Sequence, residues 1–390
     1  MKPKLSLMLL LLVINTAFAQ YNIQFRDITL SQAVELSAKE NKPVFFMGFA
    51  NWCQHCKNMK ETVFTDSSVA TFYNEHFICI HQDMEEGAGP SLKDRFGVRA
   101  FPAFVFLDGT GARIYQVVGE LDKKDCLFMA SNALNPQKHL NYLQDQFDQN
   151  PGDTARAVPL LQALNRAQLP TQEIAQKFFA TKSEKEMLNY PCWRVLNMGV
   201  SDITSKEFQF IVDHQKEYGE LVTPQRVQRK IFRTTAYNLE QPVNNNDTVR
   251  YRQLKKVAVN FHNSRVDSLI FNYDLQLFEL SNNWTAYQKE ALQGTQLFEW
   301  DDYVQLRHIA DIFYKHVTDT DALKTAANWA KRSGELKPEY GNTLLCAQLY
   351  EKSGNKSEAK KAAQDAVDIA TRLSLNHAEA DQLLQRVSQQ

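Results

Sequence analysis

An apolar run that ends at a pair of cysteines constrains this chain more than any other feature. Lys42-Pro43-Val44-Phe45-Phe46-Met47-Gly48-Phe49 reads as a buried strand, and Trp52-Cys53-Gln54-His55-Cys56-Lys57 follows where a helical pattern begins. That helix is expected to run from about Cys53 into Phe64. Two intervening residues at a helix start place both sulfurs on the first turn, close enough to bond without rearrangement of the backbone. Cys53, the N-terminal member, is expected to be the more exposed sulfur, its thiolate favoured by unpaired N–H groups and the positive end of the helix dipole. A dithiol that cycles with a disulfide is the favoured reading, an inert pair the alternative: Cys53 attacks a partner disulfide, and Cys56 then attacks Cys53 and releases the reduced partner. Gln54 and His55 fill the space between, where a protonated His55 would further favour the thiolate. Structural zinc would need a second pair of ligands, and His55, His76 and His81 do not supply one, so no metal is assigned.

The compartment is read from the N-terminus. Lys2 and Lys4 precede an apolar run from Leu5 to Ile14, and Ala17-Phe18-Ala19 supplies a small-x-small cleavage site. Residues 1–19 are therefore expected to be a signal peptide, too short for a stable membrane anchor. Export to a bacterial periplasm is the favoured reading, with secretion into the medium as the alternative. The formal net charge of −1, without long blocks of one sign, makes nucleic acid an unsuitable partner. Six cysteines are too few for a disulfide-built scaffold in so long a chain. Cys79, Cys126, Cys192 and Cys346 lie among apolar or helical neighbours and read as buried thiols, a bridge among them remaining open.

A chain of this length exceeds one compact core, and the patterning changes along it. Up to about residue 140, strands and helices mix: a helix near Ser31–Glu40, a strand at His76–His81, a helix at Ser91–Phe96 and a strand at Ala103–Leu107. The turn Asp108-Gly109-Thr110-Gly111 leads into a hairpin strand Arg113–Val118, and a helix follows over Lys123–Leu134. This order gives an α/β domain with a central mixed sheet flanked by helices over residues 20–145. Beyond Pro151 strand-like runs nearly vanish. Amphipathic helices follow at Thr154–Asn165, Thr171–Phe179, Ser205–Tyr218, Pro224–Thr235 and Tyr251–Asn260, with breaks expected at Gln241-Pro242 and Ser333-Gly334. An all-α helical array is expected, divided into a helical domain over 146–300 and degenerate tetratricopeptide-like repeats over 301–390. Ala347, Tyr350, Gly354, Ala359, Ala363 and Ala366 sit at the packing offsets of such a repeat, and Phe313, Ala322, Ala326 and Trp329 suggest a degenerate preceding unit. Phe232, Tyr237, Phe271, Tyr273 and Trp284 recur near helical spacing and read as core. Asp83, Glu85 and Glu86 read as solvated loop acids.

The segment from Lys42 to Lys57 resembles the central strand and active-site helix of the thioredoxin superfamily. Phe101-Pro102-Ala103 resembles that family's cis-proline loop, and Gly119 matches the glycine before its last helix. Lys57-Asn58-Met59-Lys60-Glu61-Thr62-Val63-Phe64-Thr65-Asp66, with Val69, Phe77 and Asp83, is closer to the periplasmic disulfide-reductase branch. The resemblance covers residues 25 to 135. It implies a cis Pro102 beside the dithiol, a Phe101 backbone that offers an edge to a substrate peptide, and Trp52 shaping the peptide-facing surface. It also implies protein thiols or disulfides as partners, including a membrane or periplasmic electron donor, and a reductase or isomerase direction. The sequence departs from the family at Met47, where many members carry a buried acid that assists proton transfer to the inner thiol. No nucleotide-binding glycine loop is present, so electrons are expected from another dithiol protein, with no cofactor beyond the redox-active disulfide itself. The helical region would hold a protein ligand. A rival reading is a non-catalytic peptide-binding or assembly factor built on the same domain and helical scaffold.

Overall fold

The computed structural model describes residues 22–389, so the expected signal peptide lies outside the described residues. The chain divides between Ser201 and Asp202 into two compact units. Among the described residues no helix is long and apolar enough to cross a membrane.

The first unit opens with α1 (Leu30–Glu40), β1 (Val44–Phe49), α2 (Gln54–Asn58), α3 (Ser67–His76), β2 (Ile78–Asp83) and α4 (Gly89–Phe96). It continues with β3 (Ala103–Leu107), β4 (Arg113–Val118) and α5 (Lys123–Ala133). Five further helices follow: α6 (Leu140–Gln149), α7 (Thr154–Arg166), α8 (Gln172–Phe179), α9 (Glu184–Met187) and α10 (Tyr190–Gly199). The four strands lie in the order β2-β1-β3-β4. β1 and β2 are parallel, with Val44 opposite Ile78, because the chain between them crosses over through helices. β3 is antiparallel to both β1 and β4. The hairpin turn between β3 and β4 is held by Asp108, whose Oδ1 accepts from the backbone of Thr110 at 2.9 Å and Ala112 at 3.0 Å. Gly111 takes the left-handed conformation there, φ +79°.

Side-chain alternation builds one core on each face of the sheet. Val44, Phe46, Ile78, Ile80, Val105 and Leu107 face Ala33 of α1 and Phe96 of α4. Phe45, Met47, Cys79, Phe104, Phe106 and Tyr115 face Met59, Tyr73 of α3 and Met129 of α5, and both cysteines of the CxxC belong to this second cluster. The strands are apolar on both sides for that reason. α6 and α7 also pack on β4. There Gln116, 1% exposed, donates from Nε2 to the carbonyls of Phe96 at 3.2 Å and Ala167 at 3.1 Å.

Among the described residues the regular elements of the second unit are all helices: α11 (Lys206–Asp213), α12 (Gln215–Val222), α13 (Pro224–Asn244), α14 (Thr248–Ala258), α15 (Ser264–Leu280) and α16 (Trp284–Phe298). Then come α17 (Tyr303–His316), α18 (Thr320–Leu336), α19 (Tyr340–Lys352), α20 (Lys356–Arg372) and α21 (Ala378–Ser388). From α17 onward each helix packs on the next. Ala347, Ala359, Ala363 and Ala366 are fully buried between α19 and α20, and Gly354 turns the chain between those helices at φ +76°. Phe313, Ala322, Ala326 and Trp329 are buried in the same cluster, Phe313 meeting Trp329 edge-on at 5.0 Å.

Four expectations about the helices need correction. The stretch Ser205–Tyr218 is not one helix but falls across α11 and α12, which part at His214. Pro242 lies inside α13, near its end, so it removes little of the ladder, and Asn245 N still bonds the Gln241 carbonyl at 3.0 Å. Ser333-Gly334 is likewise internal to α18, where the Ser333 hydroxyl donates to the Tyr303 carbonyl at 2.8 Å and tertiary packing outweighs the weak propensity of glycine. Tyr237 is 55% exposed, so it is not a core residue, whereas Phe271 is buried.

Candidate functional site

Cys53 is the N-cap of α2, with an extended backbone, and its Sγ accepts from the Cys56 N–H at 3.1 Å. Cys53 and Cys56 are joined in a disulfide with their Cα atoms 5.3 Å apart. The expected helix does continue toward Phe64, but its second half is a π turn over Met59–Val63, closed by Phe64 N on the Met59 carbonyl at 2.9 Å. Both cysteines are buried, Cys53 showing 3% of its surface and Cys56 2%, because the bonded sulfurs lie against the apolar cluster that also contains Met47, Met59 and Phe104. Met47 is fully buried there, so the floor of the site carries a thioether.

The polar groups sit around this floor. His55 Nδ1 is in hydrogen-bonding contact with Glu120 Oε2, a pair separated by 65 residues. The hydrogen bond to His55 is the main reason that the Glu120 carboxyl stays below its usual range, with Asn58 adding to the effect. Gln54 donates from Nε2 to Asn58 Oδ1 at 3.0 Å, so both residues between the cysteines are tied down. Glu120 follows Gly119, whose positive φ (+109°) suits glycine and whose N–H donates to the Pro102 carbonyl at 2.8 Å. The Phe101–Pro102 peptide is cis. Phe101 packs against the cluster that holds the cysteines. Trp52 meets Phe101 edge-on at 6.1 Å and is 68% exposed, a broad apolar surface at the mouth of the site.

The three loop acids are not all solvated. The Trp52 indole N–H donates to Glu85 at 2.8 Å, and Asp83 is buried, its Oδ1 accepting from the Glu85 N–H at 2.9 Å. Asp83 ends β2 opposite Phe49, at the strand end from which the CxxC turn departs. Lys60, carried by the π turn, lies with its ammonium 3.6 Å from the Phe49 ring centre. Burial lowers the Lys60 pKa, against the opposing pull of Asp83. His81 stacks on Phe25 at 4.8 Å, and burial, followed by the charge of Lys60, lowers its pKa. Sequence reasoning missed Glu120 and Lys60 as members of this neighbourhood. For Glu120 the only available signal was its position beside Gly119.

Cys79, Cys126, Cys192 and Cys346 are free and buried. Burial pushes the thiols of Cys79 and Cys346 up to about 12 and that of Cys126 up to about 11, which leaves them protonated and unreactive at neutral pH. Among the described residues no group of three or more His, Cys, Asp or Glu could hold a metal ion.

A thioredoxin-like domain family matches residues 30–130. The protein disulfide-isomerase erp38 of Neurospora crassa is 34% identical over 83 residues, 21% of this chain and 22% of that protein. Thioredoxin-1 of Drosophila yakuba is 33% identical over 72 residues, 18% of this chain and 63% of that protein. The solution structure of a candidate disulphide-isomerase from Bacteroides thetaiotaomicron shares 34% identity, with a TM-score of 0.28, and covers 30% of this chain and 98% of that one. The chain spans less than two thirds of the length of either of the two sequence relatives. The matched segment runs from the start of α1 to α5 and contains every element around the disulfide. Residues 30–130 of this chain are a thioredoxin-like domain.

Proposed function

We propose that this protein is a thiol–disulfide oxidoreductase that exchanges its Cys53–Cys56 pair with protein partners. The observation that carries the reading is the pair itself: a disulfide at the N-cap of α2, in a thioredoxin-like domain, beside the loop of the cis Pro102 peptide. In the reductive direction the Cys53 thiolate attacks one sulfur of a partner disulfide. A Cys53–partner bond forms, and the other partner sulfur leaves as a thiolate that takes up a proton. Cys56, deprotonated, then attacks Cys53 Sγ, and the intramolecular disulfide re-forms as the second partner thiolate departs. Two electrons pass to the partner, and a dithiol protein returns them. Reductase or isomerase work is favoured by the branch resemblance of residues 57 to 66. The exposed faces of Trp52 and Phe101 supply a surface for a peptide segment, with Gln54 and His55 at its edge.

The leader at residues 1–19 supports export, with the periplasm as the working compartment and secretion as the alternative. Residues 20–145 would then act as the catalytic domain. The helices of 146–300 and the tetratricopeptide-like hairpins of 301–390 would hold a protein partner and restrict which substrate reaches the dithiol. Small buried residues in α19 and α20 support the repeat assignment.

The test is trapping in the native compartment. Cys53→Ser should abolish exchange with insulin or glutathione, and Cys56→Ser should accumulate a mixed disulfide with the physiological partner. Full function in both variants, with no trapped species, would replace the enzyme by a peptide-binding or assembly factor.

A further inference from the structure

We infer that Glu120 is a positioning residue that sets the redox poise of the Cys53–Cys56 couple by holding His55 through its Nδ1. The inference rests on the proposed exchange activity and concerns how that site is regulated. His55, between the cysteines, is bound by the carboxylate of Glu120, a residue 65 positions further along the chain. That carboxylate is not placed by chance. Gly119 turns the chain just before it, and the Gly119 N–H bond to the Pro102 carbonyl fixes the turn to the cis-proline loop. Asn58, one helical turn beyond Gln54, also hydrogen-bonds Glu120 and is itself held by the Gln54 side chain. His55 and Asn58, both on α2, are the groups that act on Glu120.

Two consequences follow from elementary electrostatics. A carboxylate bound at Nδ1 fixes that nitrogen as the donor, so Nε2 is the ring atom left to face solvent and substrate. The ionised carboxylate also offsets any positive charge on the ring, beside a sulfur whose thiolate that charge would stabilise. A less stabilised thiolate makes the reduced form less favourable and the couple more reducing. The same carboxylate thus gives the site a reducing bias, although Met47 supplies no acid beneath it. Both partners reach solvent, His55 more than Glu120, so the effect is that of a solvent-screened charge pair, about two- to fivefold in an equilibrium constant.

The experiment equilibrates the full-length protein with reduced and oxidised glutathione and measures the Cys53 pKa from the pH dependence of alkylation. Glu120→Gln should keep an acceptor for the ring while removing the charge. It is expected to lower the Cys53 pKa and shift the glutathione equilibrium about two- to fivefold toward the reduced protein. In a His55→Ala background the same substitution should have less than half that effect. Glu120→Asp should restore part of the wild-type value. No shift in Glu120→Gln, or an equal shift in both backgrounds, overturns the inference. Failure of the wild-type disulfide to equilibrate with glutathione at all would instead sink the proposed exchange activity.

Discussion

The sheet of the first unit and the α19–α20 hairpin of the second both have apolar interiors, yet they are filled by opposite kinds of residue. Around β1 and β3 the interior is aromatic: Phe45, Phe77, Phe106 and Tyr115 lie with ring centroids 5.1 to 6.1 Å apart along the contacts that Phe106 makes. Between α19 and α20 the corresponding positions are alanines, 0% exposed at 347, 359, 363 and 366. A sheet covered by helices leaves a wide gap that large rings fill, whereas two helices approach only as closely as their side chains allow. The aromatic region should therefore be sensitive to lost volume and the alanine seam to added volume.

The sharpest break of that contrast is Phe106→Ala. It removes a ring with three aromatic neighbours, and the expected loss is about 3–5 kcal/mol of first-unit stability. Hydrogen exchange resolved by segment, followed through urea, would read it; a loss below 1 kcal/mol would mean that the sheet core can collapse around the hole. Ala363→Leu should do the converse in the second unit, at a cost of about 1–3 kcal/mol through displacement of α20 from α19. If the leucine is neutral or stabilising by the same measurement, the hairpin is less tightly closed than the burial of its alanines implies.

The smallest effect concerns charge. Asp66 caps α3 through the Ser68 and Val69 N–H groups and reaches Lys123 of α5 at 2.8 Å. The Lys123 contact, followed by the Ser68 hydroxyl, holds the Asp66 carboxyl well below the usual range. A folded-state value below the unfolded one stabilises the protein above the unfolded pKa of about 3.9, and that contribution is lost as the pH falls further. Asp66→Asn keeps a capping oxygen but removes the charge. Its melting temperature should fall below the wild-type value at neutral pH and converge with it as the pH drops below about 4. A gap that stays constant across that range would show that the cap, not the charge, matters.

What the sequence disclosed followed the range of the interactions involved. The strands, the turn at Asp108–Gly111 and the Cys53–Cys56 pair are written within a few neighbouring residues. The cis peptide at Pro102 came through resemblance. By contrast, the contact of His55 with Glu120 and that of Trp52 with Glu85 join residues 65 and 33 apart, and only the folded sheet brings them together. Local rules also failed where packing overrode them. Pro242 and Gly334 punctuate the sequence without ending a helix, and the π turn after Asn58 has no signal in the hydrophobic pattern.

Gln116 carries a consequence for anyone who would dissect the chain. Its buried amide links the end of α4 to the residue that follows α7, so the segment after α5 is stitched back onto the last strand. A fragment ending at Ala133 would keep the whole dithiol neighbourhood and still be a different object. It would leave one donor of that amide without its Ala167 acceptor and uncover the face of β4 on which α6 and α7 rest. Newly bared strand surface invites sticking between copies. The smallest portable version of this dithiol-bearing fold is therefore set by where the amide finds its last acceptor, at Ala167, and extends well past the residues that surround the disulfide.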